Sequence, residues 1–176
     1  YDEVVALITE DLKYINYVYR DALIYNVSLI DTGKTYTERC EFLSLLDEYS
    51  ALLPMAEDEF LLCPGMTATD YATVSTERAK IEAERAALAA LKAGSDAYIA
   101  KAGEYDDSNK DYTYMKQFLA DIVAIENVDE SYPGIKEAKA ESYTVLAAKI
   151  AERHTKGEDY VVMCFSIAGI GNDQEA

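Results

Sequence analysis

The sequence is poor in the residues on which most metal and enzyme chemistry depends. Its 176 residues include one histidine, three cysteines and no tryptophan. A ferritin-like di-iron site is excluded, because it needs a Glu-x-x-His motif on each of two helices and Ala151 stands three residues before His154. Cys40, Cys63 and Cys164 form no C-x-x-C pair, so neither a zinc ribbon nor a thioredoxin-like redox site is expected. The three thiols fit either one disulfide with one free cysteine or three reduced side chains.

Motifs for nucleophilic catalysis and calcium binding are also missing or incomplete. No G-x-S-x-G sequence is present, so the strained turn that exposes a catalytic serine has no signature. Asp107, Asn109 and Asp111 have the alternate spacing of an EF-hand loop. Tyr112 replaces the glycine that this loop requires, and Phe118 replaces its bidentate glutamate. We therefore expect no catalytic residue, no metal site and no cofactor, and we predict that the protein is not an enzyme.

Long hydrophobic runs are absent, and this absence argues against a membrane-spanning helix. No stretch of about twenty apolar residues occurs in the chain, and no signal-peptide pattern stands at its start. The sequence begins with Tyr1 rather than methionine, which predicts that a preceding segment was removed. The pattern favours a soluble, processed protein that is exported or held in an organelle lumen, without fixing the compartment.

Basic residues are scarce relative to acidic ones. The chain has 16 Lys and Arg against 33 Asp and Glu, which gives a formal net charge of −17. A nucleic-acid backbone is an unsuitable partner, because binding it requires Lys and Arg in place of the released counterions. The same charge disfavours docking on an anionic membrane surface. It fits solubility or a basic protein partner.

Residues 2–31 carry two adjacent apolar stripes at helical spacing. The first stripe consists of Val5, Ile8, Leu12, Ile15, Tyr19 and Leu23. The second consists of Val4, Leu7, Tyr14, Val18, Tyr25 and Leu29. Two adjacent stripes make an apolar face too wide for a simple surface helix. We therefore expect a first helix that ends before Gly33 and lies at the centre of the fold.

Further apolar patterns predict four more helices and a short helical turn. Thr35 and Glu38 have the spacing of a capping box, which starts the second helix, and Pro54 ends it. A helical turn is expected near Phe60, followed by long helices over residues 69–101, 108–127 and 133–156, with a kink or interruption at Gly94. The apolar run 160–170 is expected to cover the bundle in helical or extended form. The prediction is an all-α single domain over residues 1–176, a bundle of five to six helices with mostly antiparallel neighbours.

One part of the first helix resembles a known family. Asp11-Leu12-Lys13, followed by residues 17–20 and Leu23, is similar to a helix of the PsbQ family. Members of that family are four-helix extrinsic subunits on the luminal face of photosystem II. The resemblance covers about fifteen residues of this helix, beginning at Asp11, and implies an accessory subunit of a larger assembly.

These patterns together predict a non-enzymatic interaction or structural module. The 15 tyrosines are suited to a protein contact, because each combines an apolar ring with a polar end. The expected contacts to a protein partner are Tyr17, Tyr105, Tyr112, Tyr132 and Phe165. The alternative is a bundle that binds a small molecule or pigment in an apolar pocket between helices. Its expected lining residues are Tyr14, Tyr17, Tyr98 and Met115.

Overall fold

A computed structural model describes residues 2–106, 108, 112–139 and 145–155. Within those ranges the chain is all-α, with seven helices and no strand. The helices are α1 (Asp2–Val27), α2 (Tyr36–Ser50), α3 (Glu57–Leu62), α4 (Ala68–Gly103), α5 (Tyr112–Val123), α6 (Ile135–Ala138) and α7 (Val145–Thr155). The predicted all-α class is confirmed, and the apolar run 160–170 lies outside the described residues.

The chain divides into two compact units. Unit 1 comprises Tyr1–Ala90 and unit 2 comprises Leu91–Ala176, so the division falls within α4. Helices α1 to α3 belong to unit 1, and α5 to α7 belong to unit 2. The predicted single bundle of five to six antiparallel helices is not confirmed by this arrangement.

Two helices that start in unit 1, α2 and α4, begin at capping boxes, which are local hydrogen-bond exchanges at a helix start. The Thr35 hydroxyl accepts from the backbone N–H of Glu38, whose carboxylate accepts from the backbone N–H of Thr35. Thr67 and Asp70 make the same exchange at the start of α4. The predicted start of α2 is therefore confirmed. The buried apolar side chains of this unit include Leu23, Leu46, Phe60, Val74 and Ile81.

The first helix does not lie at the centre of unit 1, and this prediction is wrong. Only Leu23 and Val27 of α1 are buried, both near its C-terminal end. The reason is that the side chains that join its middle to the rest of the unit are polar, so most residues of the two apolar stripes remain exposed. α1 packs against α2, as a short connection between consecutive helices predicts.

Unit 2 differs from the sequence predictions at two glycines. The helix α4 runs through Gly94 without interruption, and a Cβ atom added there would lie 2.2 Å from the carbonyl oxygen of Glu126. Gly94 therefore permits close approach of a loop rather than a kink. Gly134 adopts φ of 90° immediately before α6, so the helix starts after Pro133 and not at it.

The predicted helix over residues 133–156 is two helices, α6 and α7, within the described residues. Helix α5 also ends four residues earlier than predicted, at Val123, and Asn127 beyond it has a positive φ of 57°. A left-handed residue of this kind does not continue a helix. The buried core of unit 2 consists of Tyr98, Ala102, Met115, Phe118, Ile122, Ile135 and Ala138.

Candidate functional site

The middle of α1 is joined to the turn between α3 and α4 by side-chain hydrogen bonds. The Asn16 amide donates to the carbonyl oxygen of Pro64 at 3.0 Å, and the Tyr17 hydroxyl donates to that of Gly65 at 3.1 Å. Gly65 has φ of 81°, and a Cβ atom there would lie 2.9 Å from Cγ of Lys13. Glycine is therefore needed both for the turn and for its close approach to the polar side of α1.

One turn further along α1, Arg20 forms an ion pair with the first turn of α4. Its Nη1 atom lies 2.5 Å from Oδ1 of Asp70, and both side chains are largely buried. A hydrogen bond from the Thr67 hydroxyl, together with the Arg20 guanidinium, holds the pKa of Asp70 below its usual value. The polar side of α1 is thus fixed toward unit 1 by directional contacts.

We expect the Arg20–Asp70 pair to make the stability of unit 1 depend on pH. A carboxyl whose pKa is lowered by folding contributes stability above its unfolded pKa of about 3.9, and this contribution is lost as the pH falls through the lower folded pKa. Asp70→Asn should therefore lower the free energy of unfolding by about 1 kcal/mol at pH 7 and by less than that at about pH 2.5. Urea unfolding of both proteins at the two pH values measures the difference.

The control for this measurement is Asp21→Asn, which removes the other carboxylate that contacts Arg20. The Asp21 side chain is 64% exposed, so its removal should change the free energy of unfolding by less than about 0.5 kcal/mol. A cost of Asp70→Asn that stayed the same at both pH values would contradict the role given to this ion pair.

Because the polar side of α1 contacts the rest of unit 1, the opposite side of the helix is left exposed. The exposed fraction is 58% for Val4, 68% for Leu7 and 71% for Tyr14. We define the α1 apolar face as nine exposed apolar side chains of α1: seven on this side of the helix (Val4, Leu7, Ile8, Tyr14, Ile15, Val18 and Tyr25) and two at its edge, Val5 and Leu12, which helical spacing places in line with Leu23. An exposed apolar surface of this extent is unusual and typically marks an interaction site.

One acidic residue interrupts the α1 apolar face. Asp11 lies seven residues after Val4 and seven before Val18, so helical spacing places its carboxylate among these apolar side chains. Asp2 and Glu3 add negative charge at the start of the helix. The α1 apolar face is therefore an apolar surface with negative charge within it and at its end.

The tyrosines predicted as partner contacts are divided between the two units. Tyr17 lies in unit 1 and is 37% exposed, with its hydroxyl bonded to Gly65. Tyr105 and Tyr132 lie in unit 2 and are half-buried. The Tyr105 ring packs with Tyr114 and Phe118, and the Tyr132 hydroxyl donates to Asp96. Phe165 and the side chain of Tyr112 are outside the described part of the chain.

A cavity in unit 1 lies beside a buried ion pair. Arg39 of α2 donates from Nε and Nη2 to the two carboxylate oxygens of Glu84 of α4, at 2.8 and 3.0 Å. Both side chains are more than nine-tenths buried. The cavity has a volume of about 270 Å³ and is bounded by these two residues, the end of α1 and the loop to α2.

A second cavity, of about 230 Å³, lies in unit 2. Tyr98 lines it, as the small-molecule hypothesis expected, together with Ile122 and the Lys139–Glu130 ion pair. The other residues expected to line a pocket are placed differently. Met115 is 1% exposed within the core, and Tyr14 is on the α1 apolar face.

Metal-ligating side chains are scattered in the part of the chain that the structure describes. Within these ranges, no group of three or more His, Cys, Asp or Glu side chains is arranged to hold a metal ion. Cys40 and Cys63 are free thiols, Cys164 is outside the described ranges, and His154 is exposed on α7. In the same part of the chain, no helix combines the length and the hydropathy needed to cross a membrane.

Comparison of the chain with models of known protein families, with curated proteins and with solved structures found no match. The likeness of this part of α1, beginning at Asp11, to the PsbQ family is therefore not supported by a family match. The α1 apolar face and the cavity beside Arg39 and Glu84 are the features on which functional proposals can rest.

Proposed function

We propose that this chain is a non-enzymatic interaction module, an accessory subunit of a larger protein assembly, and that the α1 apolar face binds its partner. The observation that supports the proposal is the orientation of α1, whose polar side contacts unit 1 while its apolar side is exposed. In this proposal the whole chain works as one helical domain, as its length predicts. An extrinsic photosystem-type subunit is one example of such a role.

The dimensions of α1 are adequate for a specific interface. A helix of 26 residues is about 39 Å long, and nine apolar side chains are exposed along its face. Stable interfaces bury about 800 Å² on each partner, and the binding energy is concentrated in a few apolar or aromatic anchors. Leu7, Tyr14 and Val18 are suited to that role, because they are exposed before binding and share one side of the helix.

The negative charge of the chain and of α1 indicates which class of partner the α1 apolar face suits. A second copy of the chain would also carry a net charge of −17 and would bring its own Asp11 into the contact, and like charges disfavour such a pair. An interfacial membrane helix usually carries Lys and Arg on its polar face, whereas α1 has five acidic and two basic residues. We therefore propose a different protein, with an apolar groove that carries Lys or Arg opposite Asp11.

The test is affinity purification from the native source with the wild-type chain and Leu7→Asp/Val18→Asp. Two charged groups in a buried apolar contact should weaken binding at least about 100-fold, so the retained protein should be lost from the variant. The same protein should remain bound to the wild type at high salt, because apolar contacts are not screened. Asp11→Asn should weaken binding by a smaller factor.

The matched control is Met55→Asp/Leu62→Asp, which places two carboxylates at exposed apolar positions of unit 1 outside α1. This variant should retain the partner as well as the wild type does. Both double variants should unfold at the wild-type temperature, because substitutions at exposed positions change stability little. Retention of the same protein by the α1 variant, or of no protein by the wild type, would refute the proposal.

The two cavities of the described residues are smaller than the pocket that the small-molecule alternative expects. The cavities described above have volumes of about 270 and 230 Å³, whereas pockets for drug-sized ligands measure about 300–1,000 Å³. A pigment does not fit either cavity. A smaller ligand does, and the charges around the larger cavity determine which kind.

A further inference from the structure

The cavity beside Arg39 and Glu84 has an apolar wall and a charged rim. Its apolar side chains are Leu29, Ile30 and Phe42. Its ionisable side chains are Asp31, Lys34, Glu38, Arg39 and Glu84. A volume of about 270 Å³ admits a small organic molecule, and the combination of an apolar wall with a few polar groups is typical of ligand sites.

Most of the charged groups of the cavity already have partners. Arg39 and Glu84 neutralise each other through two hydrogen bonds. The carboxylate of Glu38 accepts hydrogen bonds from Thr35, which hold the pKa of Glu38 below its usual value and keep it ionised. These three side chains therefore fix the cavity in place and keep a negative charge at its edge.

Asp31 and Lys34 have unused bonding capacity. Oδ1 of Asp31 accepts from the backbone N–H of Gly33 at 2.8 Å, and among the described residues no contact occupies Oδ2. In the same part of the chain, no carboxylate lies within ion-pair distance of the Lys34 ammonium. With three acidic and two basic side chains around it, the cavity has a net charge of −1.

We infer that this cavity binds a small primary amine with an apolar chain or ring. The apolar part would contact Leu29, Ile30 and Phe42, and the ammonium group would donate to the free carboxylate oxygen of Asp31. Nothing in this inference depends on the partner proposed for α1, because none of the cavity residues belongs to the α1 apolar face.

The charges favour an amine over a carboxylic acid of the same shape. Arg39 is committed to Glu84 on two of its donors, so Lys34 is the available cation for an anionic ligand. An anion would also approach a protein with a net charge of −17, and that field repels anions and concentrates cations. The preference for the amine should therefore weaken as salt is added.

The test compares hexylammonium, hexanol and hexanoate at pH 7, by titration into the ¹⁵N-labelled protein. Hexylammonium should bind with a Kd on the order of 1 mM or tighter, and its largest amide shifts should lie within residues 29–42. Hexanol should bind about fivefold more weakly and hexanoate more weakly still. Equal or tighter binding of hexanoate, or shifts spread evenly over the chain, would refute the inference.

Two substitutions at the rim of the cavity should change the affinity for hexylammonium in opposite directions. Asp31→Asn keeps an oxygen for the Gly33 N–H but loses the charge, and should weaken hexylammonium binding about three- to fivefold. Lys34→Gln should strengthen it about twofold, because it removes a like charge. The control is Glu57→Gln, which makes the same charge change as Asp31→Asn at an exposed position in α3 outside the cavity and should leave the Kd within twofold. Hexanol binding should be unaffected by all three, and an unchanged amine Kd in Asp31→Asn would contradict the assignment.

Discussion

Arg39→Ala should lower the free energy of unfolding by about 3–5 kcal/mol. Arg39 and Glu84 are 8% and 9% exposed, and the guanidinium occupies both oxygens of the carboxylate. Removal of the arginine leaves the Glu84 charge buried without its partner, and desolvation of an unpaired charge is far more costly than loss of a surface contact. Urea unfolding at pH 7 measures the loss as a lower midpoint at unchanged slope.

The control is the double variant Arg39→Met/Glu84→Leu, which replaces both charges with apolar side chains of similar length. Because a buried ion pair and a packed apolar pair are often close in stability, the double variant should recover most of the loss. If Arg39→Ala alone cost less than about 1 kcal/mol, the pair would be behaving as an exposed one. A double variant as unstable as Arg39→Ala would show that packing, and not charge, stabilises the contact between α2 and α4.

The start of α2 was predictable because its signal is local. The partners of this capping box, Thr35 and Glu38, are only three positions apart, and both hydrogen bonds form as the spacing indicates. Pro54 marked the end of the second helix only approximately, because the helix stops at Ser50. Such errors at helix ends are expected where no cap residue fixes the boundary.

The orientation of α1 was not predictable from its own sequence. Periodicity identified the apolar face correctly and led to its placement at the centre of the fold. The hydrogen bonds that turn the other side of α1 toward the rest of unit 1 join Asn16 and Tyr17 to residues 48 positions away. The only local signal was the run of hydrogen-bonding side chains at helical spacing on the other side of α1, namely Lys13, Asn16, Tyr17 and Arg20.

The cavity beside Arg39 and Glu84 could not be predicted from the sequence for a related reason. Its ion pair joins residues 45 positions apart, and Glu84 is one of 33 acidic residues with no pattern that distinguishes it. A sequence cannot show which carboxylate is buried, and the burial of Glu84 beside Arg39 is what fixes this cavity in place. Gly94 was similarly ambiguous, because a helical glycine indicates either a kink or a close contact, and the contact partner lies in a distant loop.

Arg78→Ala is the second substitution with a large expected effect. The Arg78 guanidinium lies at the C-terminal end of α2, where backbone carbonyls lack helical donors. It donates to Oγ and the carbonyl oxygen of Ser50 at 3.1 and 2.7 Å, and to the carbonyl oxygens of Leu53 and Pro54 at 2.7 and 3.0 Å. Burial lowers the pKa of Arg78, but an arginine remains charged at neutral pH.

Because Arg78→Ala removes these four hydrogen bonds, partly buried carbonyls of the α2 terminus lose their donor. The free energy of unfolding should therefore fall by about 3 kcal/mol or more. Arg78→Lys should recover only part of this, since an ammonium group cannot match the planar fork of the guanidinium. Arg85→Ala is the control: Arg85 pairs with Asp47 on the same two helices but is 45% exposed, so its removal should cost less than about 1 kcal/mol. Urea unfolding of the three variants tests this order. Equal losses for Arg78→Ala and Arg85→Ala would mean that the α2 terminus is satisfied by water and that Arg78 does not hold α2 against α4.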